Sequence, residues 1–378
     1  MWVLVIAFVV SILIHRFKLE FRPYRVQRVQ RVQRGANPTT DASVTQLKLC
    51  RDIRGNEALV VATRLAGRFM LFQVDTGYAG PPVISTSFLS VSDGIEGGSI
   101  ESAFAEASAR VKRRITDDQR QRAINNLLRD GRCRTFTSGC TMRLMGIGTT
   151  NEMQADMLLC PGISFSDAKQ PSTFVDADVL VTHPLRGGIH ILTCDYLLHR
   201  YPCILSPADE TLDLSVSEER RIILEREFEF HSAFFVGGAF AITMSVGGVP
   251  FRIVIDTGAA APLSLGKTAS ERVKKCKVPA RGHFHVTQSG VNGESVCSNT
   301  FVANVNIGAL SMGEVHVMAN GDEVEGADGY AGIGLLRAVD MWLEPSRIGF
   351  RKNRLDPTMP NVGQPGKCKE GGLPLCAR

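Results

Sequence analysis

The sequence holds no Cys-x-x-Cys pair and no convincing zinc-ligand spacing among its ten cysteines and eight histidines. His283 and His285, two apart on a predicted strand, read as surface or satisfied side chains rather than ligands. It also lacks a phosphate loop: Gly237-Gly238 and Gly247-Gly248 read as turns. No apolar run reaches the length of an ordinary membrane span. Met1 to Ile14 is apolar except for Ser11, and fourteen helical residues cover about 21 Å against a hydrocarbon core of about 30 Å. A basic central field is missing too. Residues 1–36 carry +6 and residues 351–378 carry +4, so of the chain's net +5 the body 37–350 keeps −5. That argues against a nucleic-acid groove.

What the chain does have is a repeated tripeptide. Phe72-Gln73-Val74-Asp75-Thr76-Gly77 and Ile253-Val254-Ile255-Asp256-Thr257-Gly258 are each an apolar strand ending in Asp-Thr-Gly. At ordinary residue usage one such tripeptide is expected about 0.07 times in a chain of this length, so two by chance are rare. The aspartates stand 181 positions apart. At that offset Ala58 meets Ala239, Val61 meets Ile242, Gly67 meets Gly248, Val74 meets Ile255, Ala79 meets Ala260 and Pro81 meets Pro262, with no gap. Each copy predicts a hairpin feeding a buried strand whose C-terminal end carries the acid.

Late segments match as well. Ile191 to Leu198 leads into Cys203 to Pro207, and Tyr330 to Arg337 leads into Met341 to Pro345. The first copy is about forty residues longer, with the insert placed near 94–130. Within it, Thr116 to Leu128 predicts a helix capped by Thr116, with acids in the first turn.

These motifs resemble the bilobal pepsin-type aspartic proteases, with retropepsin-like features in each lobe. The resemblance runs from about Ala58 to Asn353 and includes the closing Arg347-Ile348-Gly349-Phe350. It implies an all-β fold with minor helix: two related barrel-like lobes, a cleft between them, and one catalytic aspartate from each, Asp75 and Asp256. Thr76 and Thr257 would cross-link the catalytic turns. Gly77 and Gly258 would leave room and supply N–H donors. The flap candidate is Arg134 to Thr141, with Phe136, Ser138 and Gly139 as substrate-binding residues and Phe136 in the usual Tyr place. In lobe two, Thr287-Gln288-Ser289-Gly290 stands where a shorter loop would lie, or reads as an ordinary hairpin tip. Four residues depart from the pattern: Tyr78 and Ala259 replace the Ser or Thr after each glycine, Thr193 stands where lobe two has Gly332, and Phe136 replaces the flap Tyr.

The implied chemistry needs two carboxylates close enough to share one proton. The ionised member takes a proton from water while the protonated member hydrogen-bonds the scissile carbonyl. Without hydroxyl donors after the glycines, the pair's pKa values rise, and a mildly acidic to neutral optimum is expected.

The domain reading is an N-terminal apolar anchor and basic segment (1–46), a first lobe (47–220), a second lobe (221–353) and a basic tail (354–378). The run Met1 to Ile14 is a poor cleavable signal, and Arg16, Lys18, Arg22 and Arg25 follow it. We expect membrane attachment as a signal-anchor. The positive-inside tendency points to a cytoplasmic body and the family's habit to the secretory pathway, so the side stays open. The Arg-Val-Gln repeats of Arg25 to Arg34 suit anionic lipid, an inhibitory prosegment over the acidic cleft, or a plain linker. Cys133/Cys140, Cys194/Cys203, Cys276/Cys297 and Cys368/Cys376 are spaced like local bridges, with Cys50 and Cys160 remaining; sequence does not fix the pairing, and a cytoplasmic body would keep all ten reduced. The expected partners are a peptide or protein substrate and a membrane, with no nucleic acid, no cofactor and no metal, in a monomer. The rival function is an inactive descendant that binds peptides or proteins through the same cleft. A third reading is a structural membrane protein with accidental motifs.

Overall fold

The two Asp-Thr-Gly segments close matching strands of a duplicated β structure. The computed structural model describes residues 44–51, 57–65, 68–78, 80–85, 116–129, 133–144, 151–159, 163–167, 170–175, 180–183, 190–193, 197, 203–214, 216, 218–275, 281–289, 295–321 and 324–353. All lie in one compact unit, Ala42–Arg378; the other is Met1–Asp41. The apolar start, the Arg-Val-Gln repeats, the first part of the insert and the tail fall outside the described residues. Among those described, no helix is long and apolar enough to cross a membrane.

The first half contributes β1 (Val44–Arg51), β2 (Glu57–Leu65), β3 (Arg68–Asp75), β4 (Val83–Ser85), β5 (Arg134–Leu144), β6 (Asn151–Leu159), β7 (Ile163–Asp167), β8 (Gln170–Val175), β9 (Leu180–His183), β10 (His190–Thr193), β11 (Cys203–Ser206) and β12 (Thr211–Asp213). The second contributes β13 (Glu229–Ser232), β14 (Phe234–Val236), β15 (Ala239–Val246), β16 (Val249–Asp256), β17 (Leu263–Gly266), β18 (Arg281–Ser289), β19 (Ser295–Ile307), β20 (Leu310–Gly321), β21 (Gly329–Gly332), β22 (Val339–Leu343) and β23 (Arg347–Lys352). The helices among the described residues are short: α1 (Asp117–Arg129), α2 (Glu218–Leu224), α3 (Lys267–Lys275) and α4 (Ile333–Leu336). The fold is all-β with minor helix, as the sequence predicts.

Strand order shows the duplication directly. The first half reads β1-β2-β3-β10-β4-β9-β6-β5, and the second β14-β15-β16-β21-β17-β20-β19-β18. Position by position the two orders correspond. In each, a late strand inserts between the aspartate strand and the one after it: β10 lies parallel to β3 and antiparallel to β4, and β21 lies parallel to β16 and antiparallel to β17. Strands buried on both faces read as continuous apolar runs, which is why Ile253 to Ile255 show no alternation before the acid. The β15–β16 hairpin turns at Gly247 and Gly248, with φ of 58° and 86°, the conformation a tight hairpin demands and glycine adopts without penalty.

A third set of strands ties the halves together. β13-β23-β22-β11-β12-β1 form a continuous antiparallel run in which β11 of the first half pairs with β22 of the second, Ile204 opposite Trp342. Trp342 is fully buried there, edge-on to Phe228 and Phe230 at 5.4 Å from each. Burying an aromatic of this size contributes about 2–3 kcal/mol. Arg351 bonds the buried Asp340 carboxylate at 2.7 Å, so that charge is compensated.

The insert helix starts as expected. Thr116 Oγ1 accepts the Gln119 N–H at 3.3 Å, and Gln119 Oε1 accepts the Thr116 N–H at 2.9 Å, a reciprocal cap. The cysteine expectation needs correction. Cys133 and Cys203 are buried thiols in the apolar core, so neither Cys133/Cys140 nor Cys194/Cys203 forms a bridge. At these core positions the thiol acts as a small hydrophobe, and burial pushes Cys203 up to about 12. Of the other suggested pairs, Cys276, Cys368 and Cys376 lie outside the described residues.

Candidate active site

β3 and β16 are eight residues each, offset by the same 181 positions as the aspartates, and their ends meet. Both threonine side chains are fully buried between the turns. The Thr76 N–H donates to Thr257 Oγ1 and the Thr257 N–H donates to Thr76 Oγ1, each at 3.1 Å. Each hydroxyl then donates across the junction, Thr76 Oγ1 to the Ile255 carbonyl at 2.8 Å and Thr257 Oγ1 to the Val74 carbonyl at 2.7 Å. A buried hydroxyl without a partner costs about 1–3 kcal/mol, so these four reciprocal bonds fix the turns in one relative position.

The glycines are there because the opposite carboxylate needs the space. A Cβ on Gly77 would stand 2.2 Å from Asp256 Cγ, and one on Gly258 would stand 2.3 Å from Asp75 Oδ2. Each carboxylate therefore lies directly on the other half's turn. Each also collects two backbone donors: Asp75 Oδ1 accepts Gly77 N–H and Tyr78 N–H at 3.0 Å each, and Asp256 Oδ1 accepts Gly258 N–H at 2.9 Å and Ala259 N–H at 3.1 Å.

Burial pushes the Asp75 pKa well above the ordinary carboxylate range, the negative charge of Asp256 pushes it further, and a hydrogen bond between the two side chains adds to this. The Gly77 and Tyr78 N–H groups pull the other way. Asp256 is raised by burial, against the N–H groups of Gly258 and Ala259 and the bond from Asp75. Two buried carboxylates this close, in a site that disfavours two negative charges, are arranged so that they could hold one proton in common.

The departing residues have definite positions. The Tyr78 ring folds onto Val83 and Ile191 of its own half. Ala259 packs among Val236, Ala241, Val254 and Tyr330 and has no hydroxyl to donate. Thr193 lies in register with Asp75, as Gly332 does with Asp256. Phe136, Ser138 and Gly139 lie in β5, where the β5–β6 ladder pairs Thr135, Thr137 and Cys140 and steps over all three. Their backbone alone is described, and the hairpin's connection, 145–150, comes later in the chain. Thr287 to Ser289 pair with Ser295 to Cys297; Gly290 is outside the described residues.

One site residue has no counterpart in the repeat. Gln73, two before Asp75, donates from Nε2 to the Gly258 carbonyl at 3.2 Å, tying the first half's strand to the second half's turn. Its partner by offset is Val254. The one sequence signal was a polar residue inside an otherwise apolar run.

No family profile matches this chain, and no curated protein matches it. Among solved structures, the chain is similar to the crystal structure of basic 7S globulin from soybean, at 11% identity and a TM-score of 0.42, over 83% of this chain and 97% of that one.

Proposed function

We propose that this protein is an aspartic endopeptidase, hydrolysing peptide bonds with a water activated between Asp75 and Asp256. The observation that carries the reading is the mutual seating of the two carboxylates, each over the glycine of the opposite Asp-Thr-Gly turn. In this mechanism the ionised member takes a proton from water as the water oxygen bonds to the scissile carbonyl carbon, the protonated member gives its proton to the carbonyl oxygen and neutralises the charge developing there, and the proton taken from water goes to the leaving amine as the C–N bond breaks. No covalent intermediate forms. The threonine cross-links hold the reacting geometry against the repulsion of the pair. An extended peptide would lie between the halves beneath the β5–β6 hairpin, held by backbone hydrogen bonds. Membrane attachment through Met1 to Ile14 belongs to the same proposal.

Incubation of the full chain with a pool of unstructured peptides, read by mass spectrometry across pH 3–8, tests it. Pepstatin-sensitive cleavage is expected, falling by about 10³-fold or more in Asp75→Ala and in Asp256→Ala, because one missing member removes both acid and base roles. The optimum is expected at mildly acidic to neutral pH, and a profile peaking below about pH 3 contradicts the account of Tyr78 and Ala259. Peptide binding without turnover anywhere in that range supports a non-catalytic peptide-binding module instead.

A further inference from the structure

The stretch after the first Asp-Thr-Gly is held by a device that its counterpart lacks. At Gly332 an added Cβ would come within 2.2 Å of the Ala261 carbonyl oxygen and 2.4 Å of the Ala259 carbonyl oxygen, so the second half's loop lies directly on the strand. In the first half the same register position is Thr193, fully buried. Its side chain is accommodated, and its hydroxyl donates to the Gly80 carbonyl at 2.6 Å. Gly80 has φ of 114°, a conformation closed to most side chains. Two residues earlier, the Tyr78 ring is seated on Val83 and Ile191, and the Tyr78 N–H donates to Asp75 Oδ1 at 3.0 Å. The loop is thus bonded at two points two positions apart in the chain, Gly80 to the Thr193 hydroxyl and Tyr78 to the carboxylate.

We infer that Thr193 is a positioning residue for Asp75: its hydroxyl anchors the Gly80 carbonyl and so aims the Tyr78 N–H at the carboxylate. Where the second half seats its loop by close backbone contact on a glycine, the first half seats it by a side-chain hydrogen bond. The kinetic part of this inference rests on the proteolytic reading; the geometric part does not. Valine has the shape of threonine without the donor. Thr193→Val leaves the half-buried Gly80 carbonyl with one bond fewer and loosens the Tyr78 N–H. A carboxylate that loses a donor to its charged form is harder to ionise.

The test titrates the full chain, labelled with ¹³C at aspartate carboxyls, alongside kcat/KM against pH for a cleaved peptide. In Thr193→Val the first ionisation of the Asp75–Asp256 pair is expected to move up by about half a pH unit or more. The acid limb of kcat/KM is expected to move with it, and Thr193→Ser is expected to restore both. A space-filling role predicts the opposite, valine behaving as wild type and serine, with its smaller volume, being the disturbed variant; that result overturns the proposal. Should Thr193→Val fail to fold, Thr193→Ala against Thr193→Ser makes the same comparison. A wild-type chain that cleaves no peptide sinks the protease reading, while the carboxyl titration still decides the role of Thr193.

Discussion

His190 is fully buried beside Phe72, ring centroids 5.2 Å apart, with Nδ1 accepting the Ser85 N–H at 3.1 Å. Burial pushes its pKa down to about 3 from 6.5. The unfolded chain therefore takes up a proton below pH 6.5 that the folded chain refuses until about pH 3, and stability falls as pH falls through that interval. A full shift of this size corresponds to roughly 5 kcal/mol. The aspartate pair acts in the other direction: folded pKa values raised above 3.8 stabilise the protonated form, and that contribution is lost as pH rises. Across the acid range the two contributions oppose each other. Urea unfolding at stepped pH isolates the histidine share: His190→Gln is expected to lower the slope of stability against pH by about 1.4 kcal/mol per pH unit between 6 and 4 relative to the wild type. An unchanged slope contradicts this account. Neither His190 nor Gln73 was legible as a contributor, because a single polar residue in an apolar strand carries no spacing signal. The catalytic candidates were legible because Asp-Thr-Gly recurs in register.

At the scale of elements, β21 and α4 show how tightly the second half is built. Gly332 N–H donates to the Pro262 carbonyl at 3.1 Å and Ile333 N–H donates to the Ala259 carbonyl at 2.8 Å, drawing the loop onto the strand until no room remains for a methyl group. Gly332→Ala is expected to destabilise by about 3 kcal/mol or more, since the obstacle is backbone rather than a side chain able to turn away. Urea denaturation measures this, and a change within about 0.5 kcal/mol contradicts it. The hairpins, the aspartate strands and the capped insert helix were legible from period, glycines and Thr116. The β5 ladder was not. Its irregular steps at Phe136 and at Ser138–Gly139 depend on pairing with β6, and the sequence of β5 alone does not register it.

At the scale of the molecule, the duplication was legible from one offset, and the equal strand orders of the two halves show it again without reference to sequence. The joining layer was not foreseen. The segments after β10 and β21 were recognised as similar in type, but their pairing through β11 and β22 is a contact between positions with no local pattern to announce it. The state of the cysteines was not legible for a related reason. Spacing suggests a bridge, while burial in a common apolar core, which only the fold creates, accounts for Cys133 and Cys203. What the two halves produce jointly, and neither alone, is the site at their junction, where threonine bonds of 2.7–3.1 Å cross from one to the other.

The coupling of the two carboxylates across that junction is tested most directly by following ¹³C-labelled aspartate carboxyls through a pH titration of the wild type and of Asp256→Asn. The account predicts that the Asp75–Asp256 pair titrates in two separated steps, and that removing the Asp256 charge leaves one step for Asp75 at lower pH than the later of the pair's two steps. Two carboxylates titrating independently, with Asp75 indifferent to the loss of Asp256, would contradict it.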